Sequence, residues 1–389
     1  MRTSLTVSCL AAASLAALAT AFVATNLAAC AAEVEDESTL ATDEKELYAG
    51  EAVAGKADWS LDPCTARGWY GDGVCDWFCP KRDSDCAPPT LFANPKGKAA
   101  VFPVVLHHGF AGGHGFIFAY QGVREGLTAD GHRVYQTEVP PFASVPTRAA
   151  ELKKVVDRAL TESGKAKVNL IVHSMGGLDA RYLIGSMGYG DRVASLTTIS
   201  TPHRGTNAAD FALKIVPGKT DPVINALFEL FGMTFNDLST NTDLRAAWTA
   251  LAEGSAADFN AKHPNDARVY YQSWAGVSSV LGLSKYGRDP GLAKDCDGKL
   301  VLNTGTFDRV RGEFVALAPL IGPASTTGPW HDGLVTVKSS KWGTFRGCIP
   351  ADHSEEVGQS TAGWPNPTTG FDAVTFYRTM AFDLAARGY

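Results

Sequence analysis

The chain has no basic excess: 35 Lys and Arg stand against 41 Asp and Glu in 389 residues, a formal charge of -6. A nucleic-acid binder needs a cationic patch or stripe, and this balance offers none, so nucleic acid is set aside as a partner. Internal repeats are absent, and biased sequence is confined to the N-terminal stretches. Cysteine is sparse, eight in all, and its spacings lack the paired C-x-x-C of structural zinc sites. What remains is ordinary globular composition, 45% hydrophobic and 20% charged, enough for a sizeable core.

The first 30 residues carry one charged side chain, Arg2, and an Ala/Leu-rich run from Leu10 to Ala29 broken by Ser14, Thr20, Thr25 and Asn26. This is the pattern of an export signal. Its end, Leu27-Ala28-Ala29-Cys30, resembles the lipobox of bacterial lipoproteins. The resemblance implies lipidation of Cys30 and anchoring at the outer membrane or cell surface. The alternative is cleavage after Ala32 and free secretion; a retained transmembrane helix suits the polar interruptions less well. With Cys9 leaving in the signal and Cys30 lipidated, an even six cysteines remain, which in an exported chain read as disulfides.

Residues 31–58 are rich in Glu, Asp, Ala, Thr and Gly and read as a flexible acidic tether, since so little apolar surface cannot offset the entropy of ordering. Residues 59–88 form a Cys-rich module, with Cys64, Cys75, Cys79 and Cys86 within 23 residues. So short a segment must be held by disulfides rather than by a core. Its Asp76, Asp83 and Asp85 resemble the calcium-binding repeats of Notch-type receptors, which carry more cysteines.

Residues 89–389 read as one large domain. Val101 to Leu106, Val168 to Val172 and Val193 to Ile199 are short apolar runs of the kind expected in central parallel strands. Between them Ala149, Leu152, Val155, Val156 and Leu160 recur at helical spacing, and a last helix is expected over Phe371 to Ala386. Alternating strands and helices predict an α/β fold, a mostly parallel central sheet with helices on both faces.

The chemistry centres on Ile171-Val172-His173-Ser174-Met175-Gly176-Gly177, where the second strand ends and a helix begins. A serine hydroxyl becomes a useful nucleophile in a tight strand-to-helix turn, beside a base and at a helix N-terminus. The usual form is G-x-S-x-G, and here Val172 replaces the first glycine. The bland alternative is an ordinary buried turn, and Val172 is the one feature favouring a non-catalytic surface lipoprotein. At the end of the first strand, His107-His108-Gly109-Phe110 offers an oxyanion-binding loop, with the N–H groups of Phe110 and Met175 as donors.

In a sheet of this type the order is Ser, then an acid, then His. Downstream of Ser174 there are four histidines. His203 follows a strand and is expected to help order the site; His263 lies in a polar stretch and reads as surface. His353, on a loop ahead of the final helix, is the expected base. Asp332, on a loop entering an apolar strand, is the expected acid; Asp352 is the rival, but neighbouring side chains point apart.

From about Pro103 onward the chain resembles the bacterial triacylglycerol lipases of the Pseudomonas and Burkholderia type, members of the α/β-hydrolase superfamily. The matching stretches are His108-Gly109-Phe110, Val168-Asn169-Leu170-Ile171, His173-Ser174-Met175-Gly176-Gly177-Leu178, Thr201-Pro202-His203-Arg204-Gly205, Ser273-Trp274-Ala275-Gly276 and Asp332-Gly333-Leu334-Val335. The resemblance implies a Ser174, Asp332, His353 triad with Phe110 and Met175 as the oxyanion hole. It also implies a structural calcium near the histidine, at Glu355, which stands where the family has Asp, and Gln359, and a disulfide between Cys296 and Cys348; Asp308 is chosen as the further acidic ligand, and a solvated acidic loop is the alternative. No organic cofactor is implied, and a monomer acting on lipid esters at a lipid–water interface is expected. The apolar helical run Val223 to Met233 stands where lipases carry a mobile lid; a fixed core helix is the alternative. A carboxylesterase, phospholipase, polyester depolymerase or acyltransferase on the same fold is the nearest alternative.

Overall fold

The computed structural model describes residues 62–72, 94–113, 120–213, 242–278, 290–299, 310, 314, 321, 329–359, 365–366 and 369–389. The export signal with Cys30, the tether, Cys75, Cys79 and Cys86 of the Cys-rich module, the run 223–233 and Asp308 lie outside the described residues.

Six strands, β1 (Val104–His107), β2 (Val134–Gln136), β3 (Val168–His173), β4 (Val193–Ile199), β5 (Tyr270–Gly276) and β6 (Thr344–Ile349), form one sheet in the order β2-β1-β3-β4-β5-β6. Every pairing is parallel. The aliphatic runs of β1, β3 and β4 are buried along their whole length because the sheet is covered on both faces.

The described helices are α1 (Pro63–Arg67), α2 (Val123–Ala129), α3 (Val145–Ser163), α4 (Gly176–Gly185), α5 (Asn207–Leu213), α6 (Thr242–Leu251), α7 (Glu253–Lys262), α8 (Pro290–Asp295), α9 (Val337–Ser340) and α10 (Ala373–Ala386). Side chains alternate across a strand, so one strand feeds two cores. Val104 and Leu106 join a cluster with Phe376, Met380 and Leu384 of α10. Val105, Leu170 and Val172 join another with Leu152 and Val156 of α3 and Ala180 and Leu183 of α4. Each fully buried Leu or Val contributes roughly 1.5–3 kcal/mol. The α3 helix ends at Gly164 in the left-handed conformation, and Asp372 caps α10 by accepting from the N–H groups of Val374 and Thr375.

Two expected boundaries shift. The first strand begins at Val104, not Val101, because Val101 is 44% exposed and its N–H donates to the carbonyl of Tyr389 instead of joining the ladder. The stretch after Asp332 is not a strand. The N–H groups of Leu334 and Val335 turn into the Asp332 carboxylate, at 2.8 and 2.7 Å, and α9 follows at once. A disulfide joins Cys296, just past α8, to Cys348 in β6, across 52 residues. A loop of that length stabilises a fold by about 4 kcal/mol through the unfolded chain.

Candidate active site

The turn after β3 brings Ser174 to the carboxyl edge of the sheet. Its φ is +55°, the left-handed region that costs a non-glycine residue roughly 1–3 kcal/mol, and the surroundings hold it there. The Ser174 N–H donates to the carbonyl of Ile199 on β4, and α4 starts two residues on. Close approach requires glycine on both sides. A Cβ on Gly109 would lie 2.5 Å from the Cβ of Ser174, and one on Gly177 would lie 2.2 Å from Oγ1 of Thr201. Val172 raises no such conflict: strand alternation sends its side chain into the α3/α4 core.

Asp332 and His353 come together from loops around β6. Nδ1 of His353 is 2.8 Å from Oδ2 of Asp332, and the His353 N–H donates to the Asp332 carbonyl at 2.9 Å. Burial works against charge on Asp332, but the imidazole and the N–H groups of Val335 and Leu334 outweigh it and hold the carboxyl below its ordinary value. Asp352 is turned away; its Oδ1 accepts from Ser354 and from the N–H of Glu355, so it closes the local turn. His353, Ser174 and Phe110 face one apolar cavity, walled by Trp248, Leu251 and Leu334 among others.

Behind the imidazole lies a group that the sequence reading did not single out. Glu356, fully buried, places Oε2 2.9 Å from Nε2 of His173 and 3.8 Å from Nδ1 of His353, while Oε1 accepts from the Ser200 hydroxyl. Burial, and then the nearby charge of Asp332, push its carboxyl well above the ordinary range. The signal was faint: His173 precedes the serine, and Glu356 lies three residues past His353 on a short turn. Nothing in the sequence joins them across 183 positions.

On the opposite flank, a second buried cluster supports the loop carrying Phe110. Nε2 of His107 is 2.9 Å from Asp179 of α4, and Nδ1 is 2.7 Å from the Thr137 hydroxyl. Arg148 of α3 donates from Nε to Asp179 at 2.8 Å, from Nη2 to the His108 carbonyl at 2.6 Å and from Nη1 to the Pro140 carbonyl at 3.0 Å. Burial, then the Arg148 charge, lowers His108 to about 3. Burial likewise lowers His107. The Phe110 ring packs on Phe142 and Trp248, with centroids 5.3 and 5.0 Å away. Met175 is fully buried and occupies the cap of α4.

The remaining expected residues fall as follows. His203 is buried, with Nε2 3.1 Å from the Thr198 hydroxyl and its ring stacked on Trp342. His263, expected at the surface, is 7% exposed; its carbonyl accepts from Arg181, and Nδ1 lies 3.0 Å from the Ser186 hydroxyl. Glu355 accepts from the Asp352 N–H through Oε2 and from the Asn366 side-chain amide through Oε1. The N–H of Gln359 donates to the Ser354 carbonyl within the same turn. A different group, His173, His353 and Glu356, brings ligand-type atoms within 4.8 Å of one another, but its members are already joined to each other or to Asp332.

A serine at a strand-to-helix turn, a buried histidine–carboxylate pair from later loops and an all-parallel sheet define an α/β serine hydrolase in outline. The comparisons agree with that outline. Residues 103–287 match the model of the alpha/beta hydrolase fold family. The chain is 31% identical over 288 residues to triacylglycerol lipase 2 of Saccharomyces cerevisiae, covering 69% of this chain and 73% of that one. It is 35% identical over 192 residues to a triacylglycerol lipase of Burkholderia plantarii, covering 46% of this chain and 52% of that one. It is 36% identical over 180 residues to one of Pseudarthrobacter phenanthrenivorans, covering 43% of this chain and 55% of that one. The matches thus span about half the length of the two bacterial relatives. The chain belongs to the lipases of the α/β-hydrolase superfamily, which are carboxylic ester hydrolases.

Proposed function

We propose that the chain hydrolyses carboxylic esters of lipids, triacylglycerols foremost, by two-step acyl transfer at Ser174. His353 takes the serine proton as the hydroxyl attacks the ester carbonyl, and Asp332 holds the imidazole and balances its charge. The N–H groups of Phe110 and Met175 receive the oxyanion, an interaction for which removal of one donor typically costs about 3–4 kcal/mol of barrier. The imidazolium then protonates the leaving alcohol. Water, deprotonated by the same imidazole, releases the fatty acid and restores the serine.

The observation that carries this reading is the pair of faces of His353, one bonded to Asp332 at 2.8 Å and the ring opening with Ser174 onto an apolar cavity. The names of the relatives support the substrate class. Export, anchoring through Cys30, a lid over 223–233 and a monomeric state belong to the same proposal and rest on the sequence patterns. Calcium at Asp308, Glu355 and Gln359 rests on the resemblance alone, and no step depends on it. A carboxylesterase on the same fold is the second reading, and the acyl chain-length profile separates the two.

Hydrolysis of a series of acyl chain lengths, emulsified and soluble, by wild type and Ser174→Ala tests both readings. The expected outcome is a rise with chain length on emulsions and a loss of roughly a millionfold in kcat for the variant. Full activity in Ser174→Ala, or failure of a fluorophosphonate probe to label Ser174, would overturn the site.

A further inference from the structure

Three arginines from three elements converge beside the outer edge of the sheet. Arg124 of α2, Arg133 just before β2 and Arg158 of α3 line an open recess of about 480 Å³ whose floor includes Tyr135 and Gln136. None of the three lies within 4.0 Å of a carboxylate among the described residues. Among the described residues Arg192, Arg268, Arg346, Arg378 and Arg387 each have such a partner, while the exposed Arg204 and Arg245 have none. Arg133 spends one nitrogen on the Glu162 carbonyl at 3.4 Å, and Arg158 lies over the Tyr135 ring at 5.8 Å. Glu162 is the recess's one carboxylate. A chain with six more acids than bases thus places three cations and one acid around this recess, a local excess of positive charge that attracts anions.

The backbone adds donors to the same place. β2 is the edge of the sheet among the described strands. The Arg133 carbonyl accepts from Val104, and the Thr137 N–H donates to Leu106, so Arg133, Tyr135 and Thr137 face β1. By the alternation of a parallel ladder, the N–H groups of Val134 and Gln136 point outward, to the recess side.

We infer that this recess is a binding site for a phosphate group, carried by an anionic lipid headgroup or free in solution. Guanidinium forks pair with oxyanions two hydrogen bonds at a time, and outward peptide N–H groups add to an anion-binding concavity. A phosphate presents oxygens in three directions to meet donors from three elements, whereas a carboxylate presents them in one plane. The site is separate from the Ser174 cavity and stands whether or not the reading of that cavity holds.

The test uses the full chain, as wild type, as the combined Arg124→Gln, Arg133→Gln, Arg158→Gln variant, and as Arg245→Gln, an exposed charge control. Each is titrated calorimetrically with inorganic phosphate and with acetate, and sedimented with phosphatidylcholine vesicles with or without phosphatidic acid. Soluble-ester hydrolysis verifies that each variant is folded. Expected are saturable phosphate binding that acetate does not reproduce, and stronger sedimentation on phosphatidic acid that phosphate competes away. The combined variant should lose roughly a hundredfold in affinity for phosphatidic acid vesicles, at about a factor of five per arginine, while Arg245→Gln stays near wild type. Phosphate binding without a preference for phosphatidic acid would support the site with free phosphate as its source. Binding unchanged in the combined variant, equal binding of acetate, or no binding of phosphate or vesicles by the wild type would overturn it.

Discussion

Two buried polar clusters flank Ser174, and they are balanced in opposite ways. On the β1 side, Arg148 and Asp179 form an ion pair with an imidazole at its edge, and every arm of the guanidinium reaches an acceptor. On the β6 side, two carboxylates, Asp332 and Glu356, share two imidazoles, with no Lys or Arg paired to either among the described residues. A pair with matched charges needs no proton to stay buried. Two acids in one dry pocket cannot both ionise, so the better-solvated one keeps the charge. Asp332 has two peptide N–H groups as well as His353, and Glu356 is driven toward its neutral form. The first cluster is arranged to hold a loop still, and the second to let a proton move.

The sharpest way to break this contrast is to exchange the ionised acid. Asp332→Asn should lower kcat by about four orders of magnitude while leaving the fold in place, because an amide imposes the wrong tautomer on the imidazole. A loss below tenfold would mean that Asp332 is not the working acid. Next in size, Arg148→Met leaves Asp179 buried without its cation and should cost about 3–5 kcal/mol in urea unfolding. If it abolished activity at unchanged stability, the β1-side cluster would belong to the chemistry and the comparison would fail.

The smallest effect concerns pH. The folded-state pKa of Glu356 is raised above the unfolded value near 4.5, so its contribution to stability is complete below that value and is lost as pH climbs through the raised one. Glu356→Gln cannot ionise and should escape this loss. Its Tm relative to wild type should therefore improve from pH 5 toward pH 9, with hydrolysis falling less than in Asp332→Asn. Parallel Tm curves for the two proteins would remove the neutral glutamic acid from the account.

The elements legible beforehand were those with a local signature. The buried strands announce themselves as aliphatic runs, α3 by its period, and the turn at Ser174 by Gly176 and Gly177 beside a serine. Misreadings arose where a side chain overruled its neighbourhood. Leu334 and Val335 look like strand residues, yet the Asp332 carboxylate claims their N–H groups. His263 sits among polar residues, yet Arg181 draws it inward. Arg148 and Asp179 carry charge on otherwise apolar helix faces, which marks them as unusual without naming their partners.

The order of residues along the chain was enough to read an alternating α/β sheet and the serine turn, because each depends on spacing within a few residues; the choice of Asp332 and His353, far downstream of Ser174, drew on the order of groups in this fold and on the family resemblance. Only the folded arrangement decided the protonation of Glu356, the closure of Arg148 on Asp179 and the gathering of arginines beside β2. Those depend on burial and on Coulomb forces between groups far apart in sequence, and both come into being only when the sheet brings them together.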